Sequence, residues 1–315
     1  MSSPAIAIRG LKKTFAGRRA LDHLDLTVAA GAVFGFLGQN GAGKTTTLRI
    51  LLGLMTADSG SVEVLGLDPR RDPEGVRRSV GVLLENDGLY DRLSALANLE
   101  YHARIHRLPA TAARARIEEL LRASGLWERR ADRVSTWSKG MRQKLAVARA
   151  LLHRPRLLLL DEPFTGLDPV AAAALRADIM ALAADQGVTI LLTTHDLAHV
   201  EKACSEVAVI KGGRVIASGA LDTLRGGNGE IEVEIAGAGI DSALLAALER
   251  DGVIASATVA DARVRVRVTS ERRARLGVEL TARGVLLEEL HTVRSTLEET
   301  FLSLIADEAP TGSQP

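Results

Sequence analysis

One cysteine, Cys204, stands in a chain of 315 residues, so no disulfide framework and no cysteine-based metal site can be assembled within it. That usage suits a reducing compartment. Aromatic residues make up 3% of the chain, which leaves the core to leucine, valine, isoleucine and alanine. The apolar run at 157–160, all leucine, falls far short of the roughly 20 residues that a membrane-spanning helix needs. Residues 1–10 show no charged start leading into a long apolar stretch, so no secretory signal is read there. An excess of one charge is missing too. The 40 Lys and Arg nearly balance the 39 Asp and Glu, for a net charge of +1. No broad electrostatic footprint for nucleic acid results, and no nucleic-acid partner is expected. These absences point to a cytoplasmic chain whose membrane role, if it has one, comes through a partner.

What is present is a core-forming composition, 46% hydrophobic and 25% charged, in a chain long enough for two domains or one with an appendage. Alternation predicts strands at 6–9 and 24–28, and short apolar runs predict them at 32–37, 62–64, 80–84, 157–160 and 188–192. Helical spacing appears at 45–54, continuously at 95–123, and again at 139–152, 170–184 and 197–203. A hairpin is expected over 207–217, turning at Gly212-Gly213. Strands alternating with helices imply an α/β fold with a largely parallel sheet.

A glycine-rich linker is read at 225–229. Beyond it the predicted order is β-α-β-β-α-β, with strands at 230–235, 253–259, 262–269 and 285–290 and helices at 242–251 and 271–283. That is the ferredoxin-like order of a small α+β domain. One amphipathic helix is expected at 296–306, and a disordered tail over 307–315. Glu230, Glu232 and Glu234 share one face of the first strand, and Arg263, Arg265 and Arg267 one face of the third. Paired across neighbouring strands, each couple contributes about 0.2–1 kcal/mol; the alternative is two separately solvated faces.

Gly38-Gln39-Asn40-Gly41-Ala42-Gly43-Lys44-Thr45 is a complete phosphate-binding loop, set between a predicted strand and helix. Its glycines let backbone N–H groups close around phosphates, and the following helix turns its positive end to the same anion. Lys44 can reach the β- and γ-phosphates of ATP, and the Thr45 hydroxyl can ligate Mg²⁺. A dinucleotide site is disfavoured, because no G-x-G-x-x-G follows the strand.

Other segments carry a family resemblance. The run 157–160 followed by Asp161-Glu162 looks like a Walker B strand, although two such carboxylates also suit the start of a helix. Ser138-Lys139-Gly140-Met141-Arg142-Gln143 resembles the signature of ATP-binding cassette (ABC) proteins, with Trp137, Lys139 and Met141 departing from the usual L-S-G-G-Q. Ser138 equally suits a plain helix N-cap. Gly166-Leu167-Asp168 resembles the D-loop, where Asp168 also suits a cap. Thr194-His195-Asp196 resembles the switch region. Phe15 falls where an aromatic stacks on adenine, or serves as an ordinary core residue. Glu85 stands where the family has the Q-loop glutamine, which keeps an acceptor oxygen but loses an amide donor.

The chain is identified as similar to ABC ATP-binding proteins over 4–225. The resemblance implies a P-loop domain over 1–225 with a helical subdomain at about 86–155 that docks on a membrane partner; the β-α-β-β-α-β pattern beyond it marks an accessory domain over 228–306. It implies ATP contacts from Phe15, Gly38, Gln39, Asn40, Gly41, Ala42, Gly43, Lys44, Thr45 and Thr46, and from Ser138, Gly140, Met141 and Asp168. It further implies Mg²⁺ held by Thr45, Glu85 and Asp161, and catalysis by Glu162, His195 and Lys44. Transmembrane permease subunits are the implied partners, and the cassette is expected to dimerise with itself or with a second cassette. Thr296-Leu297-Glu298-Glu299-Thr300-Phe301 resembles the ending of multidrug and daunorubicin-resistance-type exporter ATPases, and so implies export. The competing class, soluble ABC ATPases of DNA repair or translation, typically carries two cassettes or a coiled-coil insertion, and neither is present. The accessory domain is open to a regulatory-ligand role or a dimerisation role.

Overall fold

The chain opens on an antiparallel pair, β1 (Ile6–Phe15) and β2 (Arg18–Val28). Ala16 and Gly17 turn it with φ of 43° and 82°, the backbone that matches the twist of a tight hairpin. Both strands outrun the predicted 6–9 and 24–28. Register shifts between Ile8 and Leu11 and between Leu11 and Lys13 break the two-residue alternation by which a strand is read. There follow β3 (Val33–Leu37), α1 (Lys44–Leu51), β4 (Ser59–Val64), α2 (Pro73–Ser79) and β5 (Val80–Leu83). The short α2 was not expected from spacing. It is held by an Asp72 cap that accepts the Gly75 N–H at 2.8 Å, with Pro73 at its first position.

The helical stretch expected as continuous over 95–123 is two helices, α3 (Ala95–Ile105) and α4 (Ala110–Ala123). Arg107 takes a φ of 54°, and Pro109 bars its predecessor from helical backbone, so the chain must turn between them. Then come α5 (Lys139–Leu151), β6 (Leu157–Asp161), α6 (Pro169–Gln186), β7 (Thr189–Thr194), α7 (Leu197–Ala203), β8 (Glu206–Lys211), β9 (Arg214–Ala220) and α8 (Leu221–Gly226).

The computed structural model describes residues 3–226, 230–260 and 263–293. It divides into two units, Met1–Ser218 and Gly219–Pro315, so the division falls inside β9, ahead of the linker read at 225–229. Residues 227–229, the helix expected at 296–306 and the tail from 307 lie outside the described residues.

In the first unit, β2-β1-β4 form an antiparallel sheet, and β5-β6-β7-β3-β8-β9 form a larger one. Strands β5, β6, β7, β3 and β8 run parallel. One core joins the two sheets and α1, with Ile6, Leu24, Phe34, Phe36, Leu48 and Leu159 almost fully buried. Cys204 is buried beside Gly35, and burial pushes its thiol pKa up to about 12. In the helical region, Arg149 of α5 donates to the Val82 carbonyl at 2.9 Å, and Arg142 binds Asp87 at 2.7 Å and also Asp91. The segment after β5 is thereby tied to α5.

The second unit consists of β10 (Glu230–Ala238), α9 (Ser242–Arg250), β11 (Ser256–Ala260), β12 (Arg263–Thr269), α10 (Ser270–Ala282) and β13 (Leu286–Val293). Its strands lie in the order β11-β12-β10-β13, all antiparallel. With that chain order, this is the ferredoxin-like arrangement. Val233, Ile235, Val264, Val266 and Val268 face Leu248 of α9 and Leu276 and Leu280 of α10. The opposite face carries charge. Glu234 lies opposite Arg265 and binds both Arg263, at 2.6 Å, and Arg265, at 3.2 Å. Glu232 stands opposite Arg267 in the register.

Candidate functional site

In a parallel sheet, ligands bind beyond the carboxyl ends of the strands, where the connecting loops diverge. Four neighbouring strands, β3, β5, β6 and β7, place loops at that edge. A cleft of about 530 Å³ opens there.

The loop after β3 forms one wall. Gly43 has a φ of 116°, and a Cβ on it would lie 2.7 Å from Leu21 Cδ2 and 2.9 Å from the Ala20 carbonyl. A Cβ on Gly38 would meet the Ile210 carbonyl at 2.5 Å. Both glycines are therefore required by space, and Gly43 by its left-handed backbone as well. Helix α1 starts at Lys44, so its free N–H groups and positive end meet the cleft. Lys44 is 6% exposed. Its ammonium donates to the Gly38 carbonyl at 2.7 Å and the Gln39 carbonyl at 3.3 Å, and lies 3.3 Å from Glu162 Oε1.

Asp161 is the last residue of β6 and is buried. Thr45 Oγ1 donates to its Oδ2 at 2.8 Å, and Thr193 Oγ1 donates to its Oδ1 at 2.5 Å. Glu162 follows in left-handed backbone, with φ 50°, a conformation that costs a non-glycine residue of order 1 kcal/mol or more. The turn aims its carboxylate at His195, whose Nδ1 lies 3.0 Å from both oxygens. Burial of the Glu162 carboxyl favours its neutral form. The His195 hydrogen bond and the Lys44 charge outweigh that, and hold its pKa below the ordinary glutamate value. Glu85, just past β5, lies in the cleft wall with Leu84.

Asn40, Gly41, Gly43, Lys44, Thr45, Thr46, Glu85, Asp161, Glu162 and His195 thus share one cleft. Gly38, Gln39 and Ala42 shape the loop behind it. Phe15 is 42% exposed under the Lys13 ammonium, 5.5 Å from its ring centre, so it is no core residue. Ser138, Gly140, Met141 and Asp168 lie outside the cleft wall. Ser138 caps α5, its Oγ accepting the Met141 N–H at 3.3 Å. Asp168 caps α6, accepting from Val170 at 3.0 Å and Ala171 at 2.8 Å.

Lys139, Gln143 and Thr165 also line the cleft; the first two belong to the signature-like segment but were not read as ATP contacts. Lys139 and Gln143 are four apart on α5 and so share a face. That spacing, within the signature-like segment, was the available signal. The residues present suit a nucleotide. Two glycines leave no room for side chains, and a buried ammonium is held by carbonyls of its own loop. The Thr45–Asp161 pair of hard oxygen donors suits a divalent cation such as Mg²⁺.

Sheet, loop and carboxylates together define a P-loop nucleoside triphosphatase. The family model described as ABC transporter matches residues 21–165. Daunorubicin resistance ATP-binding protein DrrA3 of Streptomyces coeruleorubidus is 39% identical over 313 residues, 98% of this chain and 98% of its own. Bacitracin transport ATP-binding protein BcrA of Bacillus licheniformis is 38% identical over 223 residues, 71% of this chain and 72% of its own. The solved structure of cbiO1 from Clostridium perfringens, part of the ABC transporter complex cbiONQ, matches with a TM-score of 0.65 at 27% identity, over 70% of this chain and 89% of that one. The chain belongs to the ABC transporter family, as an ATP-hydrolysing ATP-binding subunit. Among the described residues no helix is long and apolar enough to cross a membrane.

Proposed function

We propose that the chain is one half of a head-to-tail pair of cassettes, formed with itself or with a second cassette, that drives export through separate transmembrane permease subunits. It would sit at the cytoplasmic face of the membrane. One observation carries the reading: Lys44, Thr45, Asp161, Glu162 and His195 share a cleft, whereas Ser138, Gly140, Met141 and Asp168 lie outside its wall. The second cassette would supply that missing half of the site. The names of the relatives, daunorubicin resistance and bacitracin transport, support export. That cbiO1 is part of a transporter complex supports membrane partners.

In this reading the adenine of ATP stacks on Phe15, and the phosphates lie along 38–46. Mg²⁺, held by Thr45 and Asp161 with Glu85 alongside, would neutralise phosphate charge. Lys44 holds the β- and γ-phosphates. Glu162, kept ionised by His195 and Lys44, polarises a water whose oxygen attacks the γ-phosphorus. The bond to the β–γ bridging oxygen breaks, giving ADP and phosphate. His195 and Lys44 stabilise the charge that develops. Ser138 and the amides of 139–141 would close on the γ-phosphate of the opposite cassette, and that closure would shift the attached permease.

Glu162→Gln tests this. Turnover should fall by more than about 100-fold while ATP binding persists and a dimer accumulates, read by light scattering on a sizing column. Unchanged turnover would remove Glu162 from its role. A monomer under every nucleotide, with rate linear in enzyme down to high dilution, would end the paired-cassette reading.

A further inference from the structure

Strand β7 is buried along its whole length, Thr189–Thr194. Thr193 is 0% exposed. Valine would match its shape among such neighbours, so a hydroxyl at this depth calls for a reason. In the parallel register Thr193 stands beside Asp161 of β6 and Phe36 of β3. Its Oγ1 donates to Asp161 Oδ1 at 2.5 Å and accepts the Glu162 N–H at 3.1 Å. The same N–H also reaches the Thr193 carbonyl at 3.1 Å. One side chain thus grips both acidic residues, one by its carboxylate and the next by its peptide.

We propose that Thr193 is a positioning residue for ATP hydrolysis, setting the Asp161 carboxylate and the Glu162 backbone in fixed relation to each other. The proposal rests on the ATP-hydrolysing reading of the cleft. Asp161 has two hydroxyl donors, Thr45 on Oδ2 and Thr193 on Oδ1. Once Thr45 turns its oxygen to a cation, Thr193 is the side-chain donor that remains. Asp161 is 4% exposed, which leaves little access for water to replace it. Glu162 needs the second contact, because its left-handed backbone must be held by its surroundings. Partners of metal-binding carboxylates typically matter by about 10–100-fold in metal affinity or activity.

The test uses the full chain with Thr193→Val, which keeps the shape and removes the hydroxyl, and with Thr193→Ser and Thr193→Ala. Thr193→Val should lower kcat about 10–100-fold with little change in the KM for ATP. In a Glu162→Gln background loaded with ATP, the affinity for Mn²⁺ read by electron paramagnetic resonance should drop about 10-fold. Thr193→Ser should restore both; Thr193→Ala should not. A Val variant equal to wild type in kcat and Mn²⁺ affinity would overturn the assignment. So would a Ser variant as impaired as Ala, since the effect would then be packing. A wild-type chain with no Mg²⁺-dependent hydrolysis would instead overturn the reading of the cleft itself, and the assignment with it.

Discussion

In the six-stranded sheet charge is kept to the strand ends, whereas in the four-stranded sheet it runs along the strands. Residues 157–160 are buried leucines, and the first acid, Asp161, appears where β6 stops. Strand β12 alternates arginine and valine, exposed and buried, from Arg263 to Val268. A sheet covered on both faces has no room for charge except at its edges, and there charges converge on one cleft. A sheet with one open face can spread charge over it, and the pairs formed there serve cohesion. Position relative to the strand end, more than the number of charges, separates chemistry from support.

The sharpest way to break this comparison is Lys44→Ala. Hydrolysis, measured as phosphate release, should fall by more than about 100-fold; wild-type turnover would erase the special standing of strand-end charge. Next come the two cores. Leu159→Ala and Leu276→Ala each remove a side chain that is 0% exposed, at a cost of about 2–5 kcal/mol. Hydrogen exchange should show protection lost within 3–218 for the first and within 230–293 for the second. Loss spread evenly over both units would contradict their separate cores. The smallest effect is acid sensitivity of the charged face. A hydrogen bond from Arg263 depresses the Glu234 pKa; burial opposes it, and Arg265 assists. Its contribution is fully present above the ordinary glutamate pKa of about 4.3 and is lost as pH falls through the lowered value. Exchange in β10 and β12 should therefore quicken in that acid window, and Glu234→Gln should flatten the response.

Much of this was legible because the two sheets write different patterns. Buried parallel strands read as apolar runs, and 157–160 and 188–192 were read as strands on that basis. The half-covered sheet reads as alternation, and its β-α-β-β-α-β order followed from 230–290. What escaped has local causes. The bulges in β1 hid the length of the first hairpin, and the turn at Arg107 split a helix whose apolar spacing continues on both sides. In the cleft, the glycine-rich loop announced itself, because few other demands on a chain call for that spacing. Thr193 did not, since a threonine in a strand looks like any β-branched residue until its hydroxyl is seen between two acids. Lys139 and Gln143 lie inside the signature-like segment, but a motif of consecutive residues does not display the helix face, four residues apart, by which they reach the cleft.

Cys204 has a bearing on how these questions can be asked. It is the thiolate that attacks thiol-directed reagents, and a buried thiol whose pKa burial pushes up to about 12 supplies little of it at neutral pH. The folded wild-type chain should therefore react only slowly with maleimides and disulfide cross-linkers, since Cys204 is buried as well. Single cysteines placed on the rim near Ser138 or along the 38–46 loop would report with little background to engineer away. Cross-links between two chains could then be scored directly, and the sudden labelling of Cys204 would serve as a built-in alarm that the first unit has opened.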